Sequence, residues 1–169
     1  MSESESNLIE TGCGFSDLDD ARGAGIEAAR GALQAVERHP VSVVLVFASV
    51  RFDPEALLGG IRSVTGAAPL VGASSAGEIC RGPLRNRVVV TAIASPYLRV
   101  HTAVGRRVSA DWRSAAVEAM DAPEVRPFFA PAGPESDAFR RGLRREGKSV
   151  LGLLFLPGTT RNHPARSRE

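Results

Sequence analysis

Apolar residues run almost without a break over Val41–Ser49, and this stretch predicts the central strand of a β-sheet. Strands that are covered on both faces are rich in β-branched residues and lack polar alternation. Residues 88–95 share this character and predict a neighbouring strand. Residues 97–104 alternate apolar and polar side chains after a Ser-Pro turn, which predicts a hairpin with the strand before it. Because a hairpin is antiparallel, we expect a mixed sheet in an α/β fold.

Residues 21–37 precede this strand and repeat with helical periodicity. Alanines occupy one face and charged residues the other, which predicts an amphipathic helix that packs closely against the sheet. Ser16 or Asp17 offers an N-cap for it, and Pro40 explains why it ends. Residues 11–16 predict either a short edge strand or an extended segment that leads into the helix.

Three further helices are predicted downstream. Asp53 followed by proline has the residue types of a helix N-terminus. Ser109 is expected to cap a helix over residues 110–120, with Trp112 on its buried face. Residues 137–146 predict a basic helix with a solvated face. The prolines between the last two helices predict irregular structure there.

A last apolar strand is expected at residues 149–156, and its pattern is similar to that of the central strand. It looks like the start of a second copy of the same unit, and a polar, basic tail follows at 159–169. The domain is therefore expected over residues 11–158, after a frayed polar segment at 1–10. An apolar strand with nothing to cover its outer edge favours pairing with another chain.

The stretch 70–79, Leu-Val-Gly-Ala-Ser-Ser-Ala-Gly-Glu-Ile, is dense in small residues. Such density indicates a tight turn or the close approach of another backbone or of a ligand. Ser74, Ser75 and Glu78 add two hydroxyl groups and a carboxylate, which makes this the best polar cluster in the sequence. A well-packed turn and a ligand-facing loop both stay open at this point.

Composition excludes several classes of function. The net charge of +2 over 169 residues is too small to imply nucleic acid or an acidic membrane as a partner. No run reaches the roughly 18 apolar residues of a membrane span, and the acidic, serine-rich start does not resemble a signal peptide. Cys13 and Cys80 provide neither a disulfide framework nor a zinc site. A reduced, cytoplasmic compartment is therefore expected.

Catalytic chemistry finds little support in the sequence. Ser74 and Ser75 lack the Gly-x-Ser-x-Gly elbow of serine hydrolases, and the settings of His39, His101 and His163 are not those of a general base. No spacing of His, Cys or acidic residues resembles a metal-ligand set, and no nucleotide-binding motif is present. We expect no catalytic residue, no metal and no cofactor, and a serine hydrolase is the least favoured alternative.

Several segments together resemble a known family, the N-terminal part of the FIST domain, named for F-box and intracellular signal transduction proteins. The resemblance is carried by the strand that ends in Phe47-Ala48-Ser49, by Phe52-Asp53, by the 70–79 stretch and by Phe155-Leu156-Pro157-Gly158. It extends over residues 12–160.

This resemblance implies an intracellular sensory module of a signal-transduction system that binds small ligands, such as amino acids or related metabolites. It implies neither an enzymatic activity nor a cofactor. By this resemblance we expect the second half of the N-terminal unit and the C-terminal FIST portion to be missing, so the alternative is a truncated structural or interaction fragment. Such a fragment is expected to associate with itself or with a partner chain that carries the missing half.

Binding requires fewer groups than catalysis. The candidate ligand-binding residues lie at the end of the central strand and in the small-residue stretch, and they are Ser49, Arg51, Ser74, Ser75, Gly77 and Glu78. Glu78 is suited to an ammonium group and Arg51 to a carboxylate. Those are the two charges of an amino acid.

Overall fold

A computed structural model describes residues 9–75, 78–79, 83–84, 87–129 and 134–145 of the chain. The chain divides into two compact units, Met1–Thr102 and Ala103–Glu169. The elements of the first unit are β1 (Glu10–Ser16), α1 (Ala21–Leu33), β2 (Val41–Ser49), α2 (Pro54–Thr65), β3 (Leu70–Ser75), β4 (Glu78–Ile79), β5 (Pro83–Leu84) and β6 (Val88–Ala94). Those of the second unit are α3 (Trp112–Met120), α4 (Arg126–Phe129) and α5 (Pro134–Arg145).

Four strands of the first unit form a sheet in the order β1-β6-β2-β3, and β4 pairs with β5 in a separate two-stranded sheet. β3 runs parallel to β2, whereas β6 runs antiparallel to both β1 and β2. The prediction of a mixed sheet in an α/β fold, with β2 at its centre and β6 beside it, is confirmed. β1 is an edge strand, which decides between the two alternatives for residues 11–16.

The core lies between this sheet and the helix pair α1 and α2, which contact each other. Val44 and Val46 of β2 and the alanines of α1 are buried in it. The helix backbone comes very close to β1, because a Cβ on Gly12 or Gly14 would lie within about 2 Å of a carbonyl oxygen of α1. The alanine face of α1 therefore packs against the sheet as its sequence predicts.

The ends of α1 differ from the prediction at both sides. The N-cap is Asp20, whose carboxylate accepts from the backbone N–H of Gly23, because Ser16 belongs to β1 and its hydroxyl group donates to Glu27. The helix stops at Leu33 rather than at residue 37. The buried carboxylate of Glu10 accepts the backbone N–H groups that follow the helix, those of Arg38 and His39, at 3.0 and 3.1 Å.

The predicted hairpin at residues 97–104 is wrong, because that stretch contains no strand and Tyr97 is 77% exposed. β6 already pairs with β1 along one side and with β2 along the other. No side of β6 is left for a hairpin partner. The alternation that suggested the hairpin occurs here in a segment without regular secondary structure.

Two details of the second unit also differ. α3 is capped by Asp111 rather than by Ser109, and Trp112 is 53% exposed while Ala115 is buried. The short helix α4 lies in the stretch whose prolines predicted irregular structure. A proline in a first helical turn is compatible with a helix, since its missing N–H has no intrahelical partner there.

Cys13, in β1, is disulfide-bonded, which corrects the expectation of reduced cysteines. Cys80 lies outside the described residues. So do residues 1–8, the predicted strand at 149–156 and the tail at 159–169, and the expected self-association stays a prediction. Within the described part of the chain, no helix is long and apolar enough to cross a membrane.

Candidate functional site

The carboxyl ends of three strands meet at one edge of the sheet. Because β6 is antiparallel to both β1 and β2, β1 runs in the same direction as β2 and β3. Their last residues, Ser16, Ser49 and Ser75, therefore end at the same side, which we call the carboxyl edge. In open α/β sheets, ligands bind in the crevice beyond the carboxyl ends of the strands. We therefore expect ligand-binding residues at this edge.

Two of the candidate serines are brought together there. Ser49 of β2 and Ser75 of β3 are in-register neighbours, and so are Ala48 and Ser74. Adjacent strands lie about 4.8 Å apart and successive side chains alternate between faces, so paired residues share a face. Ser49 is buried, Ser75 is half-buried and Ser74 is exposed. At the carboxyl edge, β2 and β3 therefore carry two adjacent hydroxyl groups on one face and that of Ser74 on the other.

The first small residue of the 70–79 stretch has a packing explanation. A Cβ on Gly72 would lie 1.9 Å from the carbonyl oxygen of Val46, so only glycine fits where β3 approaches β2. The interpretation as a well-packed element accounts for Gly72. It does not account for the hydroxyl groups that follow at Ser74 and Ser75.

The remaining residues of that stretch are described only in part. Gly77 lies outside the described residues. Glu78 begins β4 and pairs with Leu84 of β5, and β4 contacts β2 and β6. The chain therefore returns to the sheet soon after β3 ends. The side chain of Glu78 is outside the described part, so its suitability for an ammonium group stays a prediction.

Arg51 follows β2 and is held by several groups at the carboxyl edge. Its Nη1 lies 2.5 Å from Oδ1 of Asp19, and its Nη2 donates to the carbonyl oxygens of Leu18 and Asp17 at 3.2 and 3.4 Å. The guanidinium group also stacks on the ring of Phe52, 4.4 Å from its centroid. The backbone N–H of Arg51 donates to the hydroxyl group of Ser49. The guanidinium group of Arg51 is thus directed towards the segment that follows β1, while its backbone lies next to Ser49.

A second arginine reaches the same edge, and sequence reasoning missed it. Nη2 of Arg87, the residue before β6, lies 2.9 Å from Oδ2 of Asp17, and its guanidinium group lies 5.7 Å from the ring centroid of Phe15. The backbone N–H of Ser49 donates to the carbonyl oxygen of Arg87. Asp17 and Asp19 were missed too, because Asp17 was considered only as a helix cap. Recognising that β1 runs parallel to β2 would have placed them at this edge.

The arrangement of the histidines does not favour a serine nucleophile. His39 precedes the amino end of β2, whereas Ser74 and Ser75 lie at its carboxyl edge. The eight residue steps of β2 at about 3.3 Å each separate these two edges by roughly 26 Å. His101 is exposed in the segment after β6. Among the residues that the structure describes, no group of three His, Cys, Asp or Glu side chains is placed to hold a metal ion.

The second unit has a surface cavity of about 260 Å³, lined by Arg106, Arg107, Ala110, Asp111, Ser114 and Glu118. Three of these charged groups have partners, those of Arg106, Asp111 and Glu118. Glu118 accepts from the backbone N–H of Arg106 at 2.8 Å, and this bond lowers the pKa of Glu118. Hydrogen bonds from the side chain and backbone of Ser114 lower the pKa of Asp111. These hydrogen bonds fix the start of α3, and both partners of each bond belong to the lining of the cavity.

Comparison with known proteins identifies the family. A sequence profile of the FIST N domain matches residues 42–165, a range that begins at β2 and includes β3, β6 and all three helices of the second unit. No curated protein matches the chain. A mutant of FtsZ from M. jannaschii aligns with a TM-score of 0.35 and 18% identity, over 52% of this chain and 27% of that one. That likeness is too low to bear on the fold or the function.

Proposed function

The chain belongs to the FIST family through its FIST N domain, and we propose that it binds a small ligand at the carboxyl edge of its sheet. FIST domains are sensory domains of signal transduction. A sensory domain must recognise something, and the carboxyl edge brings together polar groups from four strands. The ligand class that we propose is amino acids and related metabolites.

One observation carries this proposal, namely the in-register pair Ser49 and Ser75 with Arg51 fixed beside it. Hydroxyl groups both donate and accept hydrogen bonds, so they serve the polar atoms of many small molecules. A guanidinium group presents two parallel N–H donors, which match the two oxygens of a carboxylate. A small carboxylate ligand could therefore be held by Arg51 at one end and by the serines along its length.

The ammonium group of an amino acid needs an acceptor in addition. We propose Glu78 for this role, because β4 begins only three residues after β3 ends and returns to the sheet. Main-chain carbonyl groups at strand ends provide further acceptors. This part of the proposal depends on Glu78 more than on any other residue.

A thermal-shift screen of the twenty amino acids and their close metabolites against the full chain tests the proposal. A ligand at one hundred times its Kd stabilises the folded state by about 2.7 kcal/mol, which is readily detected as a rise in Tm. The double variant Ser74→Ala and Ser75→Ala should lose most of the shift. Ser109→Ala, which removes a hydroxyl group from an exposed turn of the second unit, should retain it.

Two results would overturn the proposed function. One is the absence of any shift with the whole set of compounds. The other is a shift of equal size in the double serine variant and in the wild-type chain, which would place the ligand elsewhere.

A further inference from the structure

We propose that Asp19 is an internal competitor for the anion site on Arg51, and that small carboxylates bind where its carboxylate now lies. The inference rests on the proposed function, because it concerns the same edge of the sheet. It adds the residue that regulates occupancy there and the chemical class of ligand, namely mono- and dicarboxylates.

The guanidinium group of Arg51 is prepared to receive a carboxylate. Its Nη2 is held by the carbonyl oxygens of Asp17 and Leu18, and the buried ring of Phe52 supports its face. Its side chain is 33% exposed, so it is neither free in water nor closed off. Nη1 donates to Oδ1 of Asp19. A ligand carboxylate in this position would find the arginine already oriented.

The contact between Asp19 and Arg51 is easily broken. Its side chain is 96% exposed, so its carboxylate is well solvated whether or not it contacts Arg51. Exposed ion pairs of this kind are weak and are screened by salt. The neighbouring residue Asp20 is fixed as the N-cap of α1, so Asp19 can leave by side-chain rotation without unfolding the helix.

A second pair extends the argument to dicarboxylates. Asp17 places its carboxylate on Arg87 and its carbonyl oxygen on Arg51, so both guanidinium groups contact one residue. The Asp17–Arg87 pair is also partly exposed, with 63% of the aspartate side chain accessible. The segment between β1 and α1 thus presents two aspartates to two arginines. A ligand with two carboxylates can replace both.

Competition of this kind has a defined size. The apparent Kd of a ligand equals its intrinsic Kd divided by the fraction of molecules whose site is free. The usual strength of an exposed ion pair corresponds to an occupancy that raises the apparent Kd about 2- to 6-fold. Removing the charge of Asp19 should lower the apparent Kd by the same factor.

The test is a titration of the full chain, labelled with ¹⁵N, with sodium succinate, followed by the Nε–Hε signals of its arginines. Succinamide, which has the same shape and no charge, serves as the ligand control. Asp19→Asn should lower the Kd for succinate about 2- to 6-fold. Glu55→Gln, which makes the same change in net charge on an exposed face of α2, should leave the Kd unchanged. Arg51→Met and Arg51→Lys should both weaken binding, and Arg51→Lys guards against a folding defect because it retains the charge.

Equal affinities of Asp19→Asn and Glu55→Gln for succinate would overturn the inference. So would the absence of succinate binding in the wild type and in Asp19→Asn alike, or equal shifts with succinamide. If the metabolite screen yields a ligand that depends on Ser75 while Asp19→Asn changes nothing, the inference fails and the proposed function stands. If Asp19→Asn binds succinate more tightly but no metabolite stabilises the chain, the inference stands and the proposed function fails.

Discussion

A Cβ on Gly60 of α2 would lie 2.3 Å from the carbonyl oxygen of Arg22 on α1. The reciprocal contact is made by Gly25 of α1, whose Cβ would lie 2.5 Å from the carbonyl oxygen of Leu57. The two helices therefore touch backbone to backbone through a pair of glycines. With this close approach, both helices pack against one face of the sheet. The carboxyl edge of the same sheet carries the proposed site.

We predict that Gly60→Ala lowers the free energy of unfolding by about 1–3 kcal/mol, the usual effect of overpacking. The obstacle is backbone and cannot rotate away. Gly59→Ala is the matched control on the same helix, because its Cβ would meet only the flexible end of Arg22, at 3.6 Å. The free energy of unfolding of that variant should be unchanged or higher by up to about 1 kcal/mol, because alanine has the higher helix propensity. Urea denaturation compares the two, and equal stabilities would contradict the close helix contact.

The disulfide at Cys13 should contribute to stability. Removal of a native disulfide typically costs about 2–5 kcal/mol. The free energy of unfolding of the oxidised wild-type chain should therefore exceed that of Cys13→Ser by this amount. Added dithiothreitol should remove the difference, because both proteins are then without the bond. Urea denaturation with and without the reductant measures this. Titratable thiols in the unreduced wild-type chain would show that Cys13 is not bonded.

Ser114→Ala should raise the pKa of Asp111 towards its ordinary value of 3.8, because the Ser114 hydroxyl group is the main cause of the lowered pKa. The folded-state pKa lies below the ordinary value, so the stabilising effect of Asp111 is present above pH 3.8 and is lost as the pH falls through the folded-state pKa. Carboxyl ¹³C signals followed from pH 6 to pH 2 give the pKa. Ser109→Ala should leave it unchanged, and an equal response of the two variants would contradict the hydrogen bond of Ser114 as the cause.

A fluorophosphonate probe should not label Ser74 or Ser75. Such labelling requires a serine that is activated by a base, and β2 separates His39 from these serines by its full length. Intact-mass spectrometry after incubation with the probe detects the adduct. A stoichiometric adduct on either serine would contradict the assignment as a binding domain and would restore the hydrolase alternative.

The sequence predicted those elements whose signals are local. β2 is recognisable from its own apolar run, and α2 from its Asp53-Pro54 start, since Asp53 accepts from the backbone N–H of Ala56 as an N-cap should. The end of α1 was missed because the Glu10 carboxylate, distant in sequence, binds the backbone beyond it. The hairpin after β6 was wrong for a similar reason, since the strand pairing of β6 with β1 leaves no local trace.

In the candidate site, too, residues with a local sequence signal were predicted and the others were missed. Ser49, Ser74 and Ser75 were found because they follow recognisable strands. Arg87 and Asp19 were missed because their relevance depends on which strands run parallel, and that is a property of the whole sheet. The pairing of Arg51 with Asp19 likewise joins residues that are 32 positions apart.

The most direct test of the central claim is a map of ligand-induced shifts in the ¹H–¹⁵N spectrum, recorded with the strongest stabilising metabolite from the screen. The proposal predicts that the largest changes fall at the carboxyl edge, on Ser49, Arg51, Ser75 and Arg87. Amides at the opposite edge, such as Ser42 and Ser95, should hardly move. Changes that centre on that opposite edge, or on the cavity beside α3, would contradict ligand binding at the carboxyl edge.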